Sequence, residues 1–213
     1  RNDGANNFSE QNDIFSPQIT QTFRYDKCSA VWRDLNNDGF IDILLNYPSE
    51  SGDNKLLIYG NKGNGTFELK TTLSYVTMDD NSIDAGDYDN DGDEDIFIAT
   101  LFGSRIYQNT GAFTFTEIAD NSFKGLYRTF CRSIDYDNDS DLDLFLAGTT
   151  IYGDYSNIYQ NQGNNRFIIQ NDILLRGFVS GSGEWGDYNN DGFPDLLIAS
   201  GNVTLVYKNN GDN

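Results

Sequence analysis

The sequence contains no histidine, and only two cysteines and three prolines among 213 residues. The absence of histidine excludes imidazole general bases, His-ligated zinc and the Ser-His-Asp and Cys-His catalytic arrangements. Two cysteines, Cys28 and Cys131, are too few for a disulfide framework or a thiolate zinc site. Two alternatives are compatible with this number, which are one disulfide and two buried thiols. Scarce proline beside 21 glycines favours many tight turns between strands.

Positive charge is also scarce, because 14 Lys and Arg stand against 33 Asp and Glu and give a formal net charge of −19. An acidic surface repels phosphate backbones, so we expect no nucleic-acid partner. No basic membrane patch and no apolar run of ~18–20 residues is present, so we expect no direct membrane insertion. A hydrophobic fraction of 38% supports a folded core, and no linker interrupts the sequence, which predicts one domain over residues 1–213.

A nine-residue acidic loop of the form D-x-[DN]-x-D-[GS]-x-x-D recurs about every 50 residues. An apolar triplet follows each loop, which indicates that a strand begins there. Further along each repeat, a Tyr-x-Asn signature opens an N-x-G turn, whose residues tolerate the positive φ of a hairpin. The four loops are Asp34–Asp42, Asp87–Asp95, Asp135–Asp143 and Asp187–Asp195, and the four turn asparagines are Asn61, Asn109, Asn161 and Asn209.

Each repeat therefore predicts four short strands, with the acidic loop between the first two and the N-x-G turn between the last two. In the first repeat we expect strands at about Cys28–Arg33, Asp42–Asn46, Lys55–Tyr59 and Thr66–Thr71. Four-stranded units of this length are typical of β-propeller blades, which predicts an all-β propeller of four-stranded antiparallel blades. The predicted repeats are 12–71, 72–119, 120–171 and 172–213, the last completed by residues 1–11. In that completion Asn6–Gln11 would pair with the open edge at Leu205–Lys208, within one chain, in a larger ring or between chains.

The loops predict four Ca²⁺ sites, because Ca²⁺ takes 6–8 oxygen ligands and positions 1, 3, 5 and 9 carry carboxylate or amide oxygens. Position 7 would add a backbone carbonyl, and Mg²⁺ is disfavoured because it resists full dehydration. An EF-hand is excluded, since position 12 of each loop is apolar. The predicted side-chain ligands are Asp34, Asn36, Asp38 and Asp42; Asp87, Asp89, Asp91 and Asp95; Asp135, Asp137, Asp139 and Asp143; Asp187, Asn189, Asp191 and Asp195. The predicted carbonyl ligands belong to Phe40, Asp93, Asp141 and Phe193.

This pattern, as in Asp187–Ile198, resembles the FG-GAP/VCBS repeat family of integrin-alpha-type β-propellers over essentially the whole chain. The resemblance implies an extracellular or cell-surface protein with calcium on the loop between the first two strands of a blade. The family usually implies seven-bladed rings, whereas this sequence has four repeats. It also has Ser140 where the other loops have glycine at position 6. Because the sequence begins with Arg1 and shows no signal peptide, we expect a processed product or a fragment.

We expect no catalysis, because nearly every clustered aspartate already has a metal role and no other acid pair stands out. The expected function is adhesion, recognition or structural assembly, with a protein or glycan ligand and with self-assembly as a further possibility. The alternative is the scaffold or carbohydrate-binding part of a secreted polysaccharide-active enzyme or lectin. Trp32 and Trp185, each two residues before a loop, are interpreted as packing between blades, with a ligand-stacking platform as the other reading.

Overall fold

A computed structural model describes residues 8–16, 29–47, 53–76, 81–118, 122–178, 181–201 and 203–211 of the chain. These ranges form strands and turns without any helix, and so contain no helix that could cross a membrane. The strands are β1 Phe15–Ser16, β2 Ala30–Arg33, β3 Asp42–Tyr47, β4 Asp53–Asn61, β5 Phe67–Val76, β6 Ser82–Gly86, β7 Asp95–Ala99, β8 Arg105–Asn109, β9 Phe115–Ile118, β10 Tyr127–Ile134, β11 Asp143–Thr150, β12 Gly153–Asn161, β13 Phe167–Ile169, β14 Gly181–Gly186, β15 Asp195–Ser200 and β16 Val203–Tyr207.

The strands form four sheets in chain order, and consecutive strands within each repeat pair antiparallel. The first sheet has the order β1-β5-β4-β3-β2, and the second has the order β6-β7-β8-β9. The third is β10-β11-β12-β13, and the fourth, within the described ranges, is β14-β15-β16. The all-β class and the division into repeated antiparallel sheets are therefore confirmed.

The strands predicted for the first repeat correspond to β2, β3, β4 and β5. The last two extend further than predicted, because their pairing continues from Asn61 opposite Phe67 to Asp53 opposite Val76, with a register shift at Ile58/Tyr59. Pairing of this kind adds backbone hydrogen bonds that no side-chain pattern marks. The start of the first predicted strand, including Cys28, lies outside the described residues. Cys131 is a free, buried thiol.

Apolar clusters between successive sheets hold the sheets in a row. One cluster joins the first two sheets, for example through Leu44 and Ile96, and another joins the second and third sheets through Phe97 and Phe123. A third cluster joins the third and fourth sheets through Phe145 and several apolar neighbours. The first strands of neighbouring sheets lie side by side, with β2 beside β6, β6 beside β10 and β10 beside β14. This arrangement places the four acidic loops one after another along the same side of the row.

The N-terminal segment makes one contact that the sequence did not indicate. Phe15–Ser16 pairs parallel with Phe67–Glu68 at the edge of the first sheet. Apolar packing accounts for this contact, since Ile14 and Phe15 lie against a buried cluster that contains Tyr59 and Phe67. Within the chain, residues 8–11 pair with no described strand of the fourth sheet. Residues 1–7 lie outside the described ranges, and completion of the fourth sheet by Asn6–Gln11 in a larger ring or between chains stays a prediction.

Candidate metal centre

The four acidic loops share one backbone fold, in which the aspartate at position 1 accepts two backbone N–H groups. In the first loop, Asp34 Oδ1 accepts from the N–H of Asp38 at 3.1 Å and Oδ2 accepts from that of Gly39 at 2.8 Å. The same two bonds recur in the other three loops at 2.9–3.1 Å, to Asp87, Asp135 and Asp187. The position-1 aspartate thus closes each loop through hydrogen bonds from the backbone of positions 5 and 6.

The loop also needs two residues in the left-handed region of backbone space. Position 4 has a φ of 57–60° in all four loops, at Asn37, Asn90, Asn138 and Asn190. Position 6 has a φ of +85 to +93° at the three glycines, and Ser140 adopts the corresponding +77° in the third loop. Asn and Gly enter this region most readily, so we expect the serine to cost on the order of 1 kcal/mol relative to glycine.

The aspartate at position 9 is buried and ties each loop to the N-x-G turn of its own sheet. Asp143 Oδ2 accepts the N–H of Tyr136 at 3.1 Å, and Oδ1 accepts the N–H of Asn161 at 2.7 Å. The equivalent pairs of bonds occur at Asp42, Asp95 and Asp195, at 2.8–3.2 Å. Each of these aspartates therefore has a structural role in addition to its predicted role as a metal ligand.

Carboxylates of positions 1, 3 and 9 converge in the second and third loops. One oxygen each from Asp87, Asp89 and Asp95 lies within 4.8 Å of the others, and the same holds for Asp135, Asp137 and Asp143. Asn36 and Asn189 replace the position-3 carboxylate in the first and fourth loops, which leaves two carboxylates at the corresponding positions there. The position-5 aspartates lie in the same loops but outside these groups, and each accepts the N–H of position 7.

The donor set fits a hard divalent cation. It consists only of carboxylate and amide oxygens, which Ca²⁺ prefers over nitrogen or sulfur ligands. Asp137 Oδ1 is buried and has no hydrogen-bond donor among the described residues, as expected for an oxygen that a cation would satisfy. The position-7 carbonyls of Phe40, Asp93, Asp141 and Phe193 stay predicted ligands.

Burial and, to a lesser extent, the charges of neighbouring aspartates raise the pKa of the position-3 and position-9 carboxyl groups, which are those of Asp89, Asp95, Asp137 and Asp143. Burial raises the pKa of Asp95 to about 7, and the charge of Asp89 adds to the shift while the N–H of Asn109 opposes it. Burial likewise raises the pKa of Asp143 to about 8, with the charges of Asp137 and Asp139 adding to it. These directions match a site in which several negative charges share little solvent.

We expect the melting temperature in EDTA to fall as the pH rises from about 5 to about 8. The folded-state pKa values of Asp95 and Asp143, about 7 and about 8, exceed the ordinary value of 3.8. Between those limits the folded state binds more protons than the unfolded state, so stability decreases with rising pH. Saturating Ca²⁺ should reverse the trend, because ligation needs ionised carboxylates. Melting curves at matched ionic strength test this, and a rise with pH in EDTA would contradict it.

In the second, third and fourth sheets, the residue before the turn asparagine contacts the acidic loop of its own sheet, whereas the first sheet has Gly60 at this position. Gln160 Nε2 donates to Asp137 Oδ2 at 2.6 Å, and Gln108 donates to Asp89 in the same way. In the fourth sheet this residue is Lys208, whose Nζ lies 3.3 Å from Asp191 Oδ2. The fourth loop therefore combines fewer carboxylates with an ammonium group of its own.

We expect Lys208→Gln to raise the calcium affinity of the fourth loop. The substitution removes a positive charge that competes with Ca²⁺ for Asp191, and it installs the residue present in the second and third sheets. The matched control is Lys70→Gln, which breaks the exposed pair of Lys70 with Glu68 at 2.7 Å away from the loops. Calorimetric titration measures the calcium affinity of both variants. An equal change of affinity in both would contradict the explanation that Lys208 acts locally on the fourth loop.

Side-chain amides connect each loop to the next, a role that was not predicted from the sequence. Asn37 Nδ2 donates to the carbonyl of Gly92 at 3.0 Å and to Asp93 Oδ1 at 2.7 Å. Asn138 Nδ2 donates to the carbonyl of Gly192 at 3.0 Å, and Asn90 bonds the side chain of Asp141. The signal was present, because position 4 is asparagine in all four loops.

The turn asparagines make a second connection, directed back to the preceding sheet. Asn109 Nδ2 donates to the carbonyl of Leu35 at 2.9 Å. Asn161 donates in the same way to Tyr88 at 2.8 Å, and Asn209 to Tyr136 at 2.7 Å. Each acceptor is position 2 of a loop, so a turn in one sheet fixes the acidic loop of its neighbour.

These features define a class of all-β repeat proteins whose successive sheets are linked through equivalent acidic loops. The model of the FG-GAP-like repeat matches residues 34–98, 87–146 and 135–198, which together cover most of the chain. The chain therefore belongs to the FG-GAP-like repeat family.

This chain is similar to two solved structures. A lectin of Agrocybe aegerita, described as recognising non-reducing terminal N-acetylglucosamine, has 20% sequence identity and a TM-score of 0.58 over 89% of this chain and 50% of its own. The Photorhabdus luminescens Tc holotoxin pore has 14% identity and a TM-score of 0.49 over 84% of this chain and 9% of its own. This chain thus spans about half of the lectin chain. No curated protein sequence matches it.

Proposed function

We propose that this chain is a calcium-binding β-propeller repeat protein that acts outside the cell, or at its surface, in adhesion, recognition or structural assembly and without catalysis. The convergence of three carboxylates within 4.8 Å in each of the second and third loops carries the proposal. Groups of like charge this close repel one another unless protons or a cation compensate them. Family membership supports the same reading, because the FG-GAP-like matches contain all four acidic loops.

The proposed role of Ca²⁺ is structural. In each loop the ion would be held by positions 1, 3, 5 and 9 and by the carbonyl of position 7, and it would neutralise their combined charge. The position-9 aspartate would then couple the ion to the N-x-G turn, and the turn asparagine couples that turn to the loop of the preceding sheet. A filled site in one repeat thereby stabilises the contact with its neighbour.

Calorimetric titration of the chelated protein with Ca²⁺ alone tests the proposal. We expect the two tightest sites in the second and third loops, so Asp89→Asn and Asp137→Asn should each weaken one tight site. Position 3 lies at the loop and has no part in the strand pairing, so the fold should survive. Asp172→Asn, at an exposed position between β13 and β14, is the matched control. No calcium uptake by the folded wild-type protein would refute the proposal.

Glycan recognition is the second candidate function, and it would serve the same extracellular role or belong to the scaffold of a polysaccharide-active enzyme. The likeness to the Agrocybe aegerita lectin, which concerns the fold, favours glycan recognition. Exposed aromatic rings at Trp32 and Tyr188 offer surfaces on which a sugar ring could stack. A glycan array that includes terminal N-acetylglucosamine separates the candidates. Binding lost in Trp32→Ala or Tyr188→Ala would support the lectin function, and an array without any signal would leave adhesion to proteins or assembly as the function.

A further inference from the structure

The hairpin turn of the third sheet places an asparagine side chain against the acidic loop of the second sheet. Asn165 lies four residues after the turn asparagine Asn161, between β12 and β13, and is only 5% exposed. Its Nδ2 donates to Asp89 Oδ2 at 3.4 Å. Asp89 is position 3 of the loop Asp87–Asp95 and one of its three converging carboxylates. The third sheet therefore contacts a predicted metal ligand of the second sheet.

The other end of this amide is a buried acceptor. Asn165 Oδ1 is inaccessible to solvent and has no hydrogen-bond donor among the described residues. Leaving such an oxygen without a donor costs about 1–3 kcal/mol, so native structures seldom do so. Ca²⁺ takes 6–8 oxygen ligands, and water completes its shell where a protein supplies fewer. A water molecule bound to the cation would donate to Oδ1 and satisfy it.

Turn geometry explains the asparagine but not the direction of its side chain. Asn164 and Asn165 both lie in the left-handed region, with φ of 54° and 58°, where asparagine is favoured. Asn164 is nevertheless exposed, whereas Asn165 is buried against the second loop. The turn is also held in place without this contact, because Asn161 Nδ2 donates to the carbonyl of Tyr88 at 2.8 Å. The approach of Asn165 to Asp89 is therefore an additional contact and not a by-product of the turn.

The corresponding turn of the second sheet directs an aromatic ring at the first sheet. Phe113 follows Asn109 by the same four residues and has a φ of 61°. Its ring lies so close to Gly60 of the first sheet that a Cβ there would come within 2.9 Å of it. Gly60 is the position that Gln108 occupies in the second sheet. A residue at this turn position thus reaches the preceding sheet in both cases, but its chemistry differs.

The surroundings of position 3 match the residue that occupies it. In the second loop position 3 is a carboxylate, and Gln108 and Asn165 both donate to Asp89 Oδ2. In the first loop position 3 is Asn36, whose Nδ2 bonds within its own loop. The two donors on Oδ2 fix the orientation of the Asp89 carboxylate. Oδ1, which accepts the N–H of Asp91 at 3.3 Å, keeps lone-pair capacity for a cation.

We propose that Asn165 is a positioning residue of the metal centre in the second loop and holds Asp89 in its ligating orientation from the neighbouring sheet. The inference rests on the proposed calcium binding and adds that this one centre is built from two sheets. Coupling is reciprocal, so docking of the third sheet strengthens the calcium site and bound calcium strengthens the docking. The first loop lacks this support from Phe113, whose side chain has no polar group.

Site-resolved calcium titration of the full chain tests the proposal. The backbone N–H of position 6 bonds to the position-1 aspartate of its loop, so the amide NMR signals of Gly39, Gly92 and Gly192 report the first, second and fourth loops separately. In calcium buffers of known free concentration, Asn165→Gly should raise the midpoint for Gly92 about 10-fold or more, as expected for the loss of a partner of a metal ligand. The midpoints for Gly39 and Gly192 should be unchanged.

Asn164→Gly is the matched control, because it makes the same substitution one residue earlier in the same turn and at nearly the same φ. Glycine tolerates positive φ, so neither variant strains the turn. Unchanged signals of Gly192 in the same spectra check that the fold is intact. We expect wild-type midpoints for all three glycines in Asn164→Gly.

A double-mutant cycle separates the positioning of Asp89 from a general loosening of the turn. In a chain that already carries Asp89→Asn, Asn165→Gly should have a much smaller effect on the Gly92 midpoint, whereas a looser turn would weaken both backgrounds equally. Equal effects in the two backgrounds, or an unchanged Gly92 midpoint in Asn165→Gly, would overturn the proposal while calcium binding itself stands. A wild type in which no loop signal responds to calcium would instead overturn calcium binding and, with it, this inference.

Discussion

Removal of calcium with EDTA is expected to lower the melting temperature of this protein by about 10–20 °C. A ligand that binds only the folded state stabilises it by about 2.7 kcal/mol when its concentration is a hundred times its Kd. The second and third loops alone would therefore contribute about 5 kcal/mol, and 1 kcal/mol moves the melting temperature of a chain of this size by about 2–4 °C. The two convergent carboxylate groups carry this expectation.

Thermal melting followed by circular dichroism, in calcium, in EDTA and in EDTA with added magnesium, measures the effect. Sodium chloride at matched ionic strength is the control, because salt alone also screens the repulsion among the aspartates. Magnesium should restore much less stability than calcium, since it gives up its water ligands reluctantly. Identical melting curves in calcium and EDTA would show that the acidic loops are stable turns without a metal.

Much of the fold could be predicted from the sequence, because two periodic signals agree. The acidic loop and the N-x-G turn each recur once per repeat, and an apolar triplet follows each acidic loop. Each signal is local, so it indicates where a strand begins or ends. The strands at Asp42–Tyr47 and Asp95–Ala99 accordingly begin on the position-9 aspartates, as predicted.

Contacts between repeats could not be predicted in the same way. The backbone carbonyls that accept from Asn109 and Asn161 belong to another repeat and carry no side-chain signal. The position-4 asparagines were visible in all four loops, but an asparagine in a turn has the sufficient local explanation that it tolerates positive φ. The parallel pairing of Phe15 with Phe67 was missed for a related reason, since it depends on an apolar surface assembled from distant strands.

The position-9 aspartates show how one residue can serve both the proposed metal and the fold. Their side chains are nearly inaccessible to solvent, and both oxygens already accept backbone N–H groups. A carboxylate has about four lone-pair sites, so these bonds leave capacity for a cation. The position-3 aspartates differ, because Asp137 is held by a side-chain amide and not by the backbone of two separate turns.

Asp143→Ala is therefore expected to destabilise the protein by about 2–6 kcal/mol even in EDTA, because it leaves the N–H groups of Tyr136 and Asn161 buried without an acceptor at about 1–3 kcal/mol each. Asp137→Ala should cost far less in EDTA, where its removal relieves repulsion among the remaining carboxylates. Urea unfolding of both variants, with and without calcium, measures the difference. The stability loss of Asp143→Asn in EDTA should lie between those of the two alanine variants. Its amide oxygen keeps one acceptor, whereas its Nδ2 faces the other N–H. If Asp143→Ala and Asp137→Ala lose equal stability in EDTA, position 9 acts only through the metal and not through the backbone bonds seen in the structure.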